Sequence, residues 1–311
     1  MCLKDSELPR SSLQIQLLLC HVTLPDYQQM KVAYLILTHR LPEQLQLLAG
    51  LCQHKDIDCY IHLDRKTNST AFSDLSRFSN IHFISERINC RWGTFSLVQA
   101  TINGIKTILN TGEYDYINFI SGQDLPMRNS DEFIGFLKEN KGKEFITCIP
   151  YDSQDAWWKK NESRFLHYNF QNWMIPGKYR LQFLFNRIMP TRSIPLGYIL
   201  SGNAQWFCIT EGLAKYMLQF LEDTPSFKRF FKYVWGADEF IFSTIAYNSP
   251  FKDKISSNLH YIDWNGPTDG HPKTLGVADL QKAFESGKFF ARKFDITIDP
   301  EAVNQVYHKV K

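Results

Sequence analysis

The stretch Val32-Ala33-Tyr34-Leu35-Ile36-Leu37-Thr38-His39-Arg40 decides how this chain is read. Seven uncharged residues run straight into a histidine and an arginine. Residues 60–63 repeat the pattern and end in Asp64-Arg65-Lys66; residues 116–120 repeat it again and end in Ser121-Gly122-Gln123-Asp124. Short unbroken apolar runs read as strands buried on both faces. Segments with helical spacing separate them, so this part is expected to run β-α-β-α-β around a parallel core. In open sheets of this kind ligands bind beyond the carboxyl ends of the strands. Here those ends carry the charges and hydrogen-bonding groups, which is the layout of a nucleotide-binding enzyme.

Outward from that core the pattern continues. Pro42 opens a helix over 43–51, residues 80–85 read as a strand, and Trp92-Gly93 turns the chain into a helix over 96–110. Ser130 is expected to cap a helix over 131–139, and residues 145–149 form a fourth buried strand. Residues 151–195 are aromatic, basic and weakly periodic, an irregular insertion of the kind that covers substrates. A strand over 204–209 and a helix over 211–221 follow. Trp235-Gly236-Ala237-Asp238-Glu239 then leads into an apolar helix over 240–247, and a last helix covers 279–286.

No repeat or Gly/Ser linker divides the 311 residues, enough chain for one large domain or two fused halves. The expected division is a single domain over 30–311, with a nucleotide-binding half (30–127) and an acceptor and catalytic half (128–311). Residues 1–29 stand apart. Their apolar stretch, Leu13 to Leu24, is broken by Gln14, Gln16 and His21, and is too short and polar to span a membrane. The expectation is an over-extended start, with the core beginning at Met30. The competing reading is a genuine N-terminal helix lying on the domain or on a membrane surface.

Lys and Arg number 35 against 32 Asp and Glu, with no basic run, which excludes non-specific nucleic-acid binding but leaves room for a local cationic site. The cysteines are seven, an odd number, and none has Cys-x-x-Cys spacing. That argues against a zinc site and a secreted disulfide framework and fits a reducing cytosol. An aromatic content of 14% supplies core, and rings beyond that need suit a stacking surface for sugars or bases.

Candidate chemistry falls on a few residues. Asp64, at a strand end, suits a hydrogen bond from a ribose or a base edge; the alternative is an ion pair with Arg65 or Lys66. Asp124 is either a site residue or a turn aspartate bonding its own backbone. Asp56-Ile57-Asp58 matches the Asp-x-Asp of metal-dependent glycosyltransferases but lies at the wrong end of its strand, and is read as chance. Glu239 is a general-base candidate, although a glutamate near a helix start is also favoured by the helix dipole. Arg292 and Lys293, between Phe289-Phe290 and Phe294, suit a clamp on a diphosphate; the alternative is two cations snorkelling at the core edge. No Gly-x-Gly-x-x-Gly, Walker loop or metal-ligand cluster is present.

Taken in order, these segments resemble one family. Residues 33–39, 61–66, Trp92-Gly93, 121–126, Ser201-Gly202 before Trp206-Phe207, Asp238-Glu239-Phe240 and 290–295 are similar to the core-2/I-branching β-1,6-N-acetylglucosaminyltransferases, a family that also contains the peptide O-xylosyltransferases. The likeness runs from Met30 to the C-terminus. It implies an α/β GT-A glycosyltransferase fold, a Rossmann-like mixed sheet with helices on both faces. It also implies a UDP-sugar donor, inverting transfer to a hydroxyl of a glycan or protein acceptor, and no metal cofactor. By this resemblance Leu37, Asp64, Arg91 and Trp92 line the uridine pocket, and Gln205 and Trp206 lie near the donor sugar. Arg292 and Lys293 hold the diphosphate, with His271 or Lys273 adding to that site. Glu239 takes the place of the catalytic base, Asp124 is the next candidate for it and a potential acceptor contact, and Trp264 stacks on the acceptor. The animal members' stem, anchor and disulfides are absent, so a bacterial-type minimal member is expected, cytoplasmic, with a peripheral position on the membrane face as a further expectation. The competing readings are a non-catalytic sugar-nucleotide or glycan-binding module of the same fold, and a nucleotidyltransferase.

Overall fold

A computed structural model describes residues 29–153, 155–266 and 270–311. The expectation for residues 1–29 falls almost wholly outside the described residues. Among the described residues ten strands are present: β1 Val32–Thr38, β2 Ile57–Leu63, β3 Ile81–Phe83, β4 Tyr116–Ser121, β5 Asp124–Pro126, β6 Glu144–Pro150, β7 Ser201–Thr210, β8 Ile255–Ser256, β9 His260–Ile262 and β10 Phe290–Arg292. The main sheet has the order β3-β2-β1-β4-β7-β6-β8. Its first four strands are parallel, β7 runs antiparallel to both β4 and β6, and β8 is parallel to β6. The expected parallel core is therefore one side of a mixed sheet, which continues past β4 into β7, β6 and β8. A small second sheet, β5-β10-β9, stands beside it.

Every residue of β1 is buried, which is why its sequence carries no polar alternation. Val32, Tyr34 and Ile36 enter one apolar cluster; Ala33, Leu35 and Leu37 enter another. The first cluster takes in helices α1 (Pro42–Leu51) and α2 (Ser130–Glu139), and the C-terminal helix α6 (Pro300–Val310). The second takes in residues 95–108 of a long helix at Phe95–Thr111, helix α4 (Glu211–Asp223) and helix α5 (Ile241–Tyr247). The sheet thus carries helices on both faces, as expected. Strands from both sides of residue 127 share both sheets, since β4 pairs with β7 and β5 with β10.

Some local expectations shift. The helix at Ser130 is capped by Asn129, whose side chain accepts from the Glu132 amide, not by Ser130. The strand over 145–149 is buried at its start but only half-buried from Thr147 onward. Glu239 does not open a helix: it ends a single tight turn, Ala237–Glu239, and α5 begins at Ile241. The 151–195 insertion is irregular as read. It holds two short helical segments, Ala156–Asn161 and Ser163–Leu166, and a three-turn helix, α3 (Lys178–Ile188).

Candidate active site

A cleft of about 780 Å³ opens beyond the carboxyl ends of β1, β2 and β4. Leu37 to Arg40, Asp64, Lys66 and Ser121 to Gln123 line one side, so the polar clusters that follow the three strands meet here. The strand ends approach closely because of Gly122. A Cβ there would lie 2.5 Å from the Thr38 hydroxyl, so glycine is needed for close packing. Gln44, from α1, braces the same corner. Its amide donates to the Gly122 carbonyl at 2.9 Å, and its oxygen accepts from the Ile296 amide at 2.8 Å. Nothing in the apolar pattern of α1 singles Gln44 out.

Asp64 makes the ion pair with Lys66 weighed from sequence. It lines the cleft, but its carboxylate accepts from the Lys66 amide (2.9 Å) and the Cys90 amide (3.1 Å), with the Lys66 ammonium at 3.8 Å. The bonds lock the 64–66 turn against the segment that carries Arg91. His62 lies fully buried behind it; its Nε2 accepts from the Ile88 amide, and burial lowers its pKa, so the ring is neutral with the proton on Nδ1. Arg91 lines the cleft and reaches across to bond the carbonyls of Gln171 (2.8 Å) and Asn172 (3.3 Å).

The cationic end of the cleft is built on the small sheet. Register pairs Arg292 with Asp124, and Arg292 Nε stands 3.4 Å from an Asp124 carboxylate oxygen. The guanidinium also lies over the Trp206 ring at 4.2 Å. Asp124 is completely buried and accepts from the Ser121 amide at 2.6 Å. Burial pushes its carboxyl up, while Arg292 and the Ser121 amide pull it down. Asp124 therefore lies under the floor, where neither an acceptor nor a transferable proton can reach it; the expectation of an acceptor contact and reserve base is corrected to a counter-charge for Arg292. Five Lys and Arg side chains line the cleft (Arg40, Lys66, Arg91, Arg292 and Lys293) against three carboxylates, Asp64, Asp238 and Glu239. The balance suits a polyanionic ligand. Lys273 is not among the lining residues; its ammonium bonds Asp279 at 2.6 Å.

Two Trp-Gly pairs shape the opposite rim. Gly93 has φ 72° and Gly236 φ 62°, and the Gly236 amide donates to the Gly93 carbonyl at 3.0 Å. A Cβ at 93 would meet the Trp235 ring at 2.7 Å, and one at 236 would meet the Arg164 guanidinium at 2.1 Å. Neither position tolerates a side chain, by dihedral or by space. Trp92 stands edge-on to Trp235 and tilted against His271, both at 4.8 Å between ring centres. Trp92, His271 and Trp264 are exposed on the rim, whereas Trp206 is buried and meets Arg292.

Glu239 enters this rim from the tight turn after Gly236. Its carboxylate pairs with Arg164 at 2.8 Å. Arg164 is held in turn by Asn161 (2.7 Å) and the carbonyl of Trp235 (3.1 Å), and lies over the Trp235 and Phe240 rings. Asp238 makes no capping bond to α5. It is buried on the wall of the cleft, and one carboxylate oxygen has no protein partner. Burial, and then the charge of Glu239, push its carboxyl up to about 7.

Of the residues expected from sequence, Leu37, Asp64, Arg91, Trp92, Gln205, Trp206, Glu239, Trp264, His271, Arg292 and Lys293 line this one cleft; Asp124 and Lys273 do not. Arg164 was not singled out, because it falls in the insertion where no motif was legible. Asp56-Ile57-Asp58 lies at the opposite end of β2, with Asp58 bonded by Tyr114 at 2.9 Å. Among the described residues, no three His, Cys, Asp or Glu side chains come together as a metal site, the five described cysteines are free thiols, and no helix is long and apolar enough to cross a membrane.

Comparison with known proteins gives this geometry its relatives. A family model described as Core-2/I-Branching enzyme matches residues 32–285. Xylosyltransferase 2 of Rattus norvegicus is 24% identical over 298 residues, 88% of this chain and 33% of the relative. Xylosyltransferase 1 of Homo sapiens is 25% identical over 305 residues, 89% of this chain and 30% of the relative. The chain thus spans about a third of the length of these relatives. Among solved structures, one assigned as a glucose-1-phosphate thymidylyltransferase from Bacillus anthracis aligns with TM-score 0.28 and 13% identity, over 60% of this chain and 74% of its own; a likeness that loose carries no argument. The family match spans the sheet and the cleft from β1 to residue 285, and the mixed sheet with its two helical layers is that of a GT-A-like glycosyltransferase. This chain belongs to the Core-2/I-Branching enzyme family.

Proposed function

We propose that the chain is an inverting glycosyltransferase that moves a sugar from a UDP-sugar to a hydroxyl of a glycan or protein acceptor without a metal ion. The observation that carries this reading is the joint presence, in one cleft, of a cationic end on Arg292 and Lys293 and a solvent-reachable carboxylate at Glu239. The uracil and ribose would lie along Leu37, Asp64 and Arg91, the diphosphate against Arg292 and Lys293, and the donor sugar toward Gln205. Trp264, exposed at the mouth, would stack on an acceptor sugar.

The transfer is a single displacement. Glu239 takes the proton of the acceptor hydroxyl as its oxygen forms a bond to the anomeric carbon. The bond from that carbon to the diphosphate oxygen breaks on the opposite face, and UDP leaves with the electron pair. The cations meet the charge that grows on the leaving diphosphate, usually the largest single catalytic effect. One guanidinium on Glu239 leaves lone pairs for a hydroxyl, because a carboxylate offers about four acceptor sites.

The family name and the names of the relatives make N-acetylglucosamine and xylose the first donors to try. A panel of UDP-sugars, scored for binding and for UDP release in excess chelator, tests the reading. Release with one donor, undiminished by chelator, is expected. No release from any donor in the presence of a broad acceptor mixture, with UDP still bound, would leave a binding module. Loss in chelator with recovery on manganese would overturn the metal-free clamp.

A further inference from the structure

The insertion carries an outer surface that the cleft does not use. Of the fourteen large apolar residues exposed among the described residues, nine lie between Met174 and Leu196. The reason is the orientation of α3. Its polar side chains face the protein: Gln182 accepts from the Phe170 amide at 2.8 Å, and Asn186 bonds both the amide and the carbonyl of Tyr168 at 2.8 Å. Its apolar positions Leu181, Leu184 and Ile188, spaced i, i+3 and i+7, share one face, and that face looks outward. Phe183 is 64% exposed, Leu184 57% and Ile188 80%. No residue of this helix is buried. An apolar patch of this density on an otherwise ordinary surface marks an interaction site.

Charge identifies the occupant. From Ser163 to Thr210 the sequence has no Asp or Glu; of its five Lys and Arg, Arg164 pairs with Glu239, Arg192 is buried and Lys178 is half-buried, which leaves Arg180 and Arg187 to charge this face. Arg180 and Arg187 stand exposed beside the apolar row of the helix. A second copy of the chain would have to bring this cationic face against itself. A bilayer with anionic headgroups accepts the apolar row and pairs with the cations at once, the arrangement of an interfacial amphipathic helix. We propose that α3 and its flanks dock this protein on an anionic lipid surface. Arg91, which lines the cleft, bonds the carbonyls of Gln171 and Asn172 just before the patch, so the docked face adjoins the cleft rim. The inference stands apart from sugar transfer and can fail with transfer intact.

Sedimentation of the full chain with vesicles tests it. Binding is expected to phosphatidylglycerol-rich vesicles, with little to phosphatidylcholine vesicles and weakening as salt rises. Leu184→Ser with Ile188→Ser should weaken vesicle binding by about tenfold or more. Arg180→Gln and Arg187→Gln should each weaken it by about fivefold. All these positions lie outside the cleft, so retained UDP affinity and thermal stability show that the fold is intact. Absence of sedimentation with anionic vesicles, or unchanged binding in the serine double variant and in both arginine variants, overturns the proposal. So does a dimer in ultracentrifugation that the same substitutions dissociate while lipid binding is absent, since a second copy would then own the face.

Discussion

Arg292 and Arg164 are the same construction made twice. Each guanidinium lies over a tryptophan ring, Trp206 at 4.2 Å and Trp235 at 4.6 Å, and each meets a carboxylate, Asp124 or Glu239. The carboxylates differ. The Asp124 side chain is 0% exposed and the Glu239 side chain 31%. A sealed carboxylate can only be a counter-charge that holds its arginine in place. One that solvent reaches can also be reached by a hydroxyl. Burial, more than the identity of the partners, separates a pair that can only position from the one proposed to react.

The comparison breaks first on stability. Arg292→Met leaves Asp124 buried without its partner, and removing one member of a buried ion pair costs about 3–5 kcal/mol. Arg164→Met leaves Glu239 able to turn to water, and the loss is mainly that of hydrogen bonds to Trp235 and Asn161, about 1–2 kcal/mol. Denaturant unfolding of the two variants should show the larger loss for Arg292→Met. Equal losses would mean that Asp124 does not depend on Arg292 as its sealed partner.

Asp238 sharpens the comparison, being a third carboxylate on the same wall, buried like Asp124 but without an arginine of its own. Its folded pKa of about 7 exceeds the unfolded value. The folded state therefore holds a proton that the unfolded state has released. Below about pH 4 both states are protonated and the group has no effect. As pH rises from about 4 to about 7 the folded state loses stability on account of this group, and above that the loss is complete. Asp238→Asn should remove that dependence. Relative to the parent, the variant should gain stability across this window, by at most roughly 4 kcal/mol. Urea midpoints at several pH values measure the difference. A constant difference across the window would return Asp238 to an ordinary ionised carboxylate.

The proposed role of Glu239 is tested by rate. Glu239→Gln keeps shape and volume and removes the proposed base. Turnover should fall by about a hundredfold or more, while UDP affinity hardly changes. Calorimetry with UDP and initial rates of UDP release separate the two. Near-normal turnover would place the base elsewhere, with Asp238 the remaining carboxylate on that wall.

The strand ends were legible because burial on both faces erases polar alternation, so β1, β2 and β4 stand out as continuous apolar runs that stop at charges. The pairing of Arg164 with Glu239 was not legible. It joins residues 75 positions apart, through the three-residue turn Ala237–Glu239 that follows Gly236 and a weakly periodic insertion. Asp238 is obscured for a related reason. Next to an apolar helix an aspartate reads as a cap, and only the tight turn at 237–239 shows that it faces the cleft. The outward face of α3 left its mark on the sequence, as apolar spacing in a stretch without acids. Spacing gives the stripe and not its direction; here the inward anchors are amides, Gln182 and Asn186, which no hydrophobic pattern reports.

The smallest effect separates two lysines that sequence placed together at the diphosphate. Lys293 follows Arg292 into the cleft and lines it, whereas Lys273 bonds Asp279 outside the lining. Lys293→Met should weaken UDP binding by the worth of one charge-assisted hydrogen bond, about 1.5–3 kcal/mol, or roughly ten- to a hundredfold. Lys273→Met should leave UDP affinity unchanged. The Lys273 pair faces solvent, where holding two flexible side chains together offsets most of the attraction, so its loss should be hard to detect in stability as well. Titration of both variants with UDP checks the contrast. If Lys273→Met loses as much affinity as Lys293→Met, the segment around Pro272 must close onto the diphosphate when the nucleotide binds. The cationic end would then be completed by its ligand instead of standing ready on Asp124 and Trp206.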